Sequence, residues 1–235
     1  MTTGAESGDY WTNLPGETAK GEGAEAESAI TVETIEGVEP LDDQLGVAEP
    51  LSVPTALRDP LFGQPDIIAG RSVLPLHTYA VLDAARVPGL PEMLDGSGLD
   101  HACLFQGQAA SELRDVAPWL VRLEESHGLT RALFTRGDGP NHLWDKEPGI
   151  FLRSQEALDA VRKHLRKFTK VRDEDGRWYY ARFWEPRWCA WSIQTLDGTQ
   201  DGTRFLKPVA RVVALDPRLS QATVINPARQ VEVAE

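Results

Sequence analysis

All but one unit of the chain's net charge of -12 sits in its first fifty residues. Positions 1–50 hold twelve Asp and Glu against one lysine, Lys20, while positions 51–235 hold 24 acids against 23 Lys and Arg. The charge-rich part is also poor in apolar residues. Tyr10 and Trp11 are its only aromatics, and 16–29 reads GETAKGEGAEAESA. Such a segment cannot bury enough surface to offset the entropy of ordering it. Residues 1–50 therefore read as a disordered acidic tail, removable without loss of stability. Residues 51–72, punctuated by Pro54, Pro60 and Pro65, read as an extended linker. The fold is then left to 73–216, with 217–235 as a short C-terminal extension.

Composition bounds what that body can be. Hydrophobic residues make up 41% and charged residues 26% of the chain, ordinary values for a globular protein. No apolar run approaches the ~18 residues of a spanning helix, and the opening MTTGAESGDYW has no basic or apolar leader. A cytoplasmic protein without membrane insertion is expected. Two cysteines, Cys103 and Cys189, exclude a disulfide framework and a four-thiolate zinc site. A near-neutral body offers no general attraction for phosphate backbones, which argues against nucleic acid as a partner.

Periodicity divides 73–216 into alternating elements. Strands are predicted at 76–82, 101–105, 119–123, 149–152 and 210–214. Helices are predicted at 88–98, around 111–115, at 126–136, from a cap at Ser154 to Phe168, and at 188–196. Leu158, Val161, Leu165 and Phe168 share one face of the helix after Ser154, and basic residues crowd its last turns. Asp173-Glu174-Asp175-Gly176 between 170–172 and 177–183 is a hairpin signal. The fold class is α/β, a single mixed-sheet domain with packed helices.

The residues that carry familiar chemistry are sparse. No phosphate loop, dinucleotide fingerprint, nucleophile elbow or HExxH motif occurs. His101 and Cys103 share a strand face, yet no second pair at ligand spacing accompanies them, so no metal or cofactor is expected. Asp83 reads as a capping or turn residue at a strand end, and His164 as a partly buried residue bonded to the sheet. The densest unusual stretch is WYYARFWEPRWCAW, residues 178–191. Aromatics interleaved with arginine suit a protein hot spot, a single-strand stacking surface, or an aromatic core strand. Strand alternation would set Trp178, Tyr180 and Arg182 on one face and Tyr179, Ala181 and Phe183 on the other, so core and surface roles coexist. Arg182, Glu185 and Arg187 are expected to pair as a charged cluster around Pro186, orienting Trp184 and Trp188.

The order of TYAVLDAAR (78–86), HACLFQG and ELRDVAPWLVRL (101–123), GIFLRS (149–154), HLRKFTKVRDEDGRWYYARFWEPR (164–187) and FLKPVARVV (205–213) resembles a family of type VI secretion effector chaperones or adaptors. Two departures stand out. Glu185 occupies a position where the family usually has Asp, and only about twenty residues follow Ala214 where many members carry a longer cargo extension. The resemblance implies a non-enzymatic role, loading an effector toxin onto a VgrG-type spike in the cytoplasm of the producing cell. Read from the residues themselves, the partner-binding or structural cluster is Arg182, Phe183, Trp184, Glu185, Pro186, Arg187 and Trp188, supported by Asp83, His164, Trp178 and Tyr180. The alternatives are a small hydrolase using Asp83, His164 or Glu185, and a single-stranded nucleic-acid module using the aromatic strand.

Overall fold

The run His-Thr-Tyr-Ala-Val-Leu-Asp becomes strand β2 (His77–Asp83), in which Tyr79, Ala80, Val81 and Leu82 are all fully buried. Successive side chains point to opposite faces, so burial of all four means that both faces are covered. A computed structural model describes residues 28–65, 74–173 and 175–228. Around β2 run β1 (Ile30–Glu36), β3 (His101–Cys103), β4 (Pro118–Leu123), β5 (Gly149–Ser154), β8 (Arg211–Asp216) and β9 (Gln221–Pro227). They form one seven-stranded sheet in the order β1-β9-β8-β5-β2-β4-β3, with every neighbouring pair antiparallel. Ala80 sits opposite Val121 of β4 on one side and Phe151 of β5 on the other. A separate two-stranded ribbon pairs β6 (Lys170–Arg172) with β7 (Trp178–Tyr180).

Helices cover this sheet. They are α1 (Thr55–Phe62), α2 (Leu90–Ser97), α3 (Gln108–Glu112), α4 (Gly128–Phe134), α5 (Leu158–Leu165), α6 (Pro186–Thr195) and α7 (Gln200–Leu206). α1 packs on β2 and β5, α5 on β4, and α6 on β8 and β5. The predicted apolar face of α5 is the buried one, with Val161, Leu165 and Phe168 inside and Leu158 packed against the core. Among the described residues no helix is long and apolar enough to cross a membrane.

The folded unit is larger than composition predicts. Residues 1–27 of the expected tail lie outside the described residues, but 30–36 form edge strand β1, seven residues in register with β9. Val38 and Leu41 are buried, and Leu41 exchanges hydrogen bonds with Phe134 and Arg136. An edge strand draws its stability from ladder hydrogen bonds and tolerates charge, so low apolar content does not exclude it. The expected linker contains α1, whose Leu57 and Leu61 are fully buried. Residues 66–73 of it lie outside the described residues. The expected C-terminal extension contains β9, which bridges β8 and β1.

One local assignment also changes. Ser154 ends β5 instead of capping α5. Its hydroxyl donates to the Pro208 carbonyl and accepts from the Glu156 amide, and Ala157 occupies the cap position. The stretch after Leu196, to which the sequence pattern assigns no element, forms α7, capped by Thr199, which accepts from the Gly202 amide at 3.1 Å.

Gly149 shows how tightly β5 meets β2. A Cβ there would lie 1.8 Å from the Val81 carbonyl oxygen, a backbone atom with no freedom to retreat. Gly149→Ala is expected to destabilise the protein by about 2–3 kcal/mol through overpacking. Urea unfolding would read this as a lower midpoint at unchanged slope.

Candidate functional site

Asp83 ends β2 and is buried, so its carboxylate must find donors inside the protein. Oδ1 accepts from the Ala85 amide at 3.0 Å, the turn role read from the sequence. Oδ2 accepts from Arg182 and, at 3.1 Å, from the indole N–H of Trp184. The segment that leaves β7 is thereby fastened to the centre of the sheet, 99 residues away in sequence.

A second buried acid, Glu147, has no counterpart in the sequence reading. It follows a 3-10 turn (Trp144–Lys146) with φ 47° and ψ 59°. Its carboxylate accepts from Arg218 Nε at 2.7 Å and faces Arg187 Nη2 at 3.4 Å and Arg86 Nη1 at 3.9 Å. Arg187 also pairs with Asp216 through Nε at 3.2 Å. Arg187 and Arg218 are 40 and 71 residues distant in sequence, so no local pattern announces Glu147.

These contacts replace the expected cluster of Arg182, Glu185 and Arg187. Glu185 is the N-cap of α6, its Oε2 accepting from the Trp188 amide at 2.7 Å, with Pro186 at the first helical position. Helix capping occupies the nearest carboxylate, so Arg182 goes to Asp83 and Arg187 to Glu147 and Asp216. The arm is still held by charge, but through partners on distant strands.

The aromatic stretch divides as core and surface. Phe183 and Trp184 are buried, whereas Trp178, Tyr179, Tyr180, Trp188 and Trp191 are exposed. The expected alternation as far as Phe183 fails because β7 stops at Tyr180. On the ribbon, Lys170 lies 5.4 Å from the Tyr180 ring and Arg172 lies 5.9 Å from that of Trp178. Trp188 and Trp191, one turn apart on α6, stack with centroids 4.9 Å apart at 26°.

Between the ribbon, α6 and α7 lies a groove of about 410 Å³. Phe168, Phe183 and Phe205 line it and meet edge to face, with centroid separations of 5.1 Å for Phe168–Phe205 and 5.5 Å for Phe183–Phe205. Tyr180, Trp188 and Trp191 also line it, as do Arg86, Arg182 and Glu185. Asp83 and His164 are not among its lining residues, so the three groups named for a hydrolase are not brought together there.

The His164 ring lies tilted at 49° to Phe168 with centroids 5.1 Å apart, and its Nε2 donates to the Phe205 carbonyl at 2.9 Å. Burial lowers its pKa below the usual imidazole value, Lys167 and Lys207 act in the same direction, and the Phe205 hydrogen bond opposes them. His101 contacts the Leu99 carbonyl and Asp95, while burial pushes the Cys103 thiol up. Among the described residues no cluster of three or more His, Cys, Asp or Glu could hold a metal ion.

Fold and site together define a mixed α/β domain that presents an aromatic groove beside two buried carboxylate–arginine centres. A family described as a domain of unknown function, DUF4123, matches residues 78–202, and the chain belongs to that family. The matched region contains Asp83, Glu147, Arg182 and Arg187, and stops short of Asp216 and Arg218. No curated protein and no solved structure matches the chain.

Two outcomes are expected. Arg187→Ala should cost about 1 kcal/mol, because Glu147 keeps Arg218. The Arg187→Ala/Arg218→Ala pair should exceed the sum of the singles by about 1 kcal/mol, as a double-mutant cycle in urea would measure. For His164, the unfolded chain takes up its proton at higher pH than the folded one. The stability it carries is therefore complete above the unfolded pKa of about 6.5 and is lost as pH falls below it. His164→Gln should flatten the decline in stability between about pH 7 and 5, leaving the part due to His77, whose pKa is also lowered by burial.

Proposed function

We propose that the chain is a non-enzymatic adaptor that takes a type VI secretion effector in its aromatic groove and helps load it onto a VgrG-type spike in the cytoplasm of the producing cell. The observation that carries this reading is the stacked, solvent-facing pair Trp188–Trp191 at the wall of the groove. Wide indoles exposed beside an apolar cavity are the composition of a protein hot spot, since they contribute large contact area at little entropic cost. The buried Asp83 and Glu147 centres hold the segment that enters α6 and its first turn, which lead to that surface. Preorganisation of this kind lowers the cost of binding. Family membership supports the reading through the resemblance of 76–214 to effector chaperones.

Trp191 tests it, because its side chain faces solvent and its loss leaves the core intact. In native cells, Trp191→Ala should reduce co-purification of effector by about tenfold, the loss of one aromatic anchor. Its thermal midpoint should stay within about 2 °C of wild type, as for a surface substitution. Undiminished recovery of both effector and spike would overturn the proposal.

A further inference from the structure

We infer that the segment taken up by the groove is an apolar anchor flanked by a short acidic run, with the run lying along Arg162, Lys163, Arg166 and Lys170. The segment belongs to the partner of the adaptor reading, on which its identity rests.

Residues 162–172, Arg-Lys-His-Leu-Arg-Lys-Phe-Thr-Lys-Val-Arg, hold six Lys and Arg and no acid. The helix dipole accounts for cations in the last turn of α5, but not for Lys170 and Arg172, which lie on β6. Much of this charge is not spent within the fold. Arg182 and Arg187 are committed to buried acids. Among the described residues, none of Arg162, Lys163, Arg166 and Lys170 forms a salt bridge. Lys163 and Lys170 are exposed. Arg162 donates through Nε to the Cys103 carbonyl at 3.0 Å, at the end of edge strand β3. Arg166 Nε is buried without an acceptor. Burial and, after it, the like charge of Arg162 hold the Arg166 guanidinium below its usual pKa, opposed by Cys103. Like charges one turn apart and unpaired are a cost to the free protein, and a carboxylate brought beside them offsets it.

The cations adjoin the groove. Phe168 and Val171, from the same stretch, line it. Lys170 Nζ lies 5.4 Å from the ring of Tyr180, another lining residue, which meets Phe105 just beyond β3 at 4.9 Å. One partner chain can therefore seat an apolar side chain among the rings and pass on over the cations. The room available sets the length of its acidic run. Asp159 precedes the cations on α5, and Asp173 and Asp175 follow them in the ribbon turn. From Arg162 to Lys170 the helical rise covers about 12 Å, which an extended chain crosses in about four residues. A polynucleotide repeats its charge about every 3.4 Å along a strand and would run on over the flanking acids. A short acidic peptide is the better complement.

Selection from a display library of random dodecapeptides, with the full chain as bait, tests the inference. Recovered peptides should combine Trp, Phe or Leu with Asp and Glu, the acids enriched about threefold or more over the input library. Lys163→Glu/Lys170→Glu, at two exposed positions, should abolish the acid enrichment and keep the apolar one, which reports that the groove is intact. Lys163→Arg/Lys170→Arg should retain both. On the wild type, a selected peptide should bind about tenfold more weakly in about 0.5 M salt than in about 0.05 M. Peptides without acids, acids retained by the charge-reversed variant, affinity indifferent to salt, or no selectable peptide would each overturn it. So would an oligothymidylate that binds the wild type as tightly as the selected peptide. The two readings fail separately. Acid-rich peptides with undiminished effector recovery in Trp191→Ala leave the charged site and remove the adaptor. Loss of recovery in Trp191→Ala with acid-free peptides leaves the adaptor and removes the acidic run.

Discussion

A carboxylate buried at the end of a central strand cannot be left without donors, and Asp83 meets that demand by reaching across the molecule. Its own turn supplies one amide. The remaining capacity is filled by Arg182 and the Trp184 indole, both from the segment that follows the ribbon. The direction of α6, the burial of Phe183 and Trp184, and the outward display of Trp188 and Trp191 all follow from where that segment is fastened. Breaking one partner of such a pair is costly because the other is left buried and unpaired.

Glu147 performs the same service for the chain a few residues further along. It gathers Arg86 from the turn after β2, Arg187 from the first turn of α6 and Arg218 from the turn between β8 and β9. Three separate segments therefore converge on one acid. Its side chain is nearly inaccessible, while the arginines remain partly in water. This arrangement limits the desolvation cost to one partner of each pair. Both anchors thus fix the segment that enters α6, the helix whose Trp188 and Trp191 help wall the groove.

The sequence was most informative where structure is encoded over short range. β2, β4 and β5 are visible as apolar runs, α5 as a one-sided stripe and the ribbon as an acidic-Gly turn between two short strands. The dual nature of 178–191 was also legible, since both faces of so aromatic a stretch cannot be exposed. Misreadings gathered where local composition and long-range pairing disagree. Residues 30–36 look too charged to fold, yet they complete a ladder with β9. Ser154 looks like the cap of α5, yet its hydroxyl donates to the Pro208 carbonyl 54 residues away. Arg182, Glu185 and Arg187 look like a local cluster, yet the helix cap claims Glu185 first.

Periodicity, turn chemistry and capping act within a few residues, so the sequence by itself determined the mixed α/β class, the central strands and the aromatic character of the exposed arm. Tertiary structure alone decided which strands close the sheet, which rings are buried, and which acid receives each arginine. The physical reason is separation along the chain. β1 pairs with a strand nearly two hundred residues later, Asp83 meets Arg182 across 99 residues and Glu147 meets Arg218 across 71. Partners at such distances are selected by the packing of the whole domain, and no residue beside them in sequence records the choice.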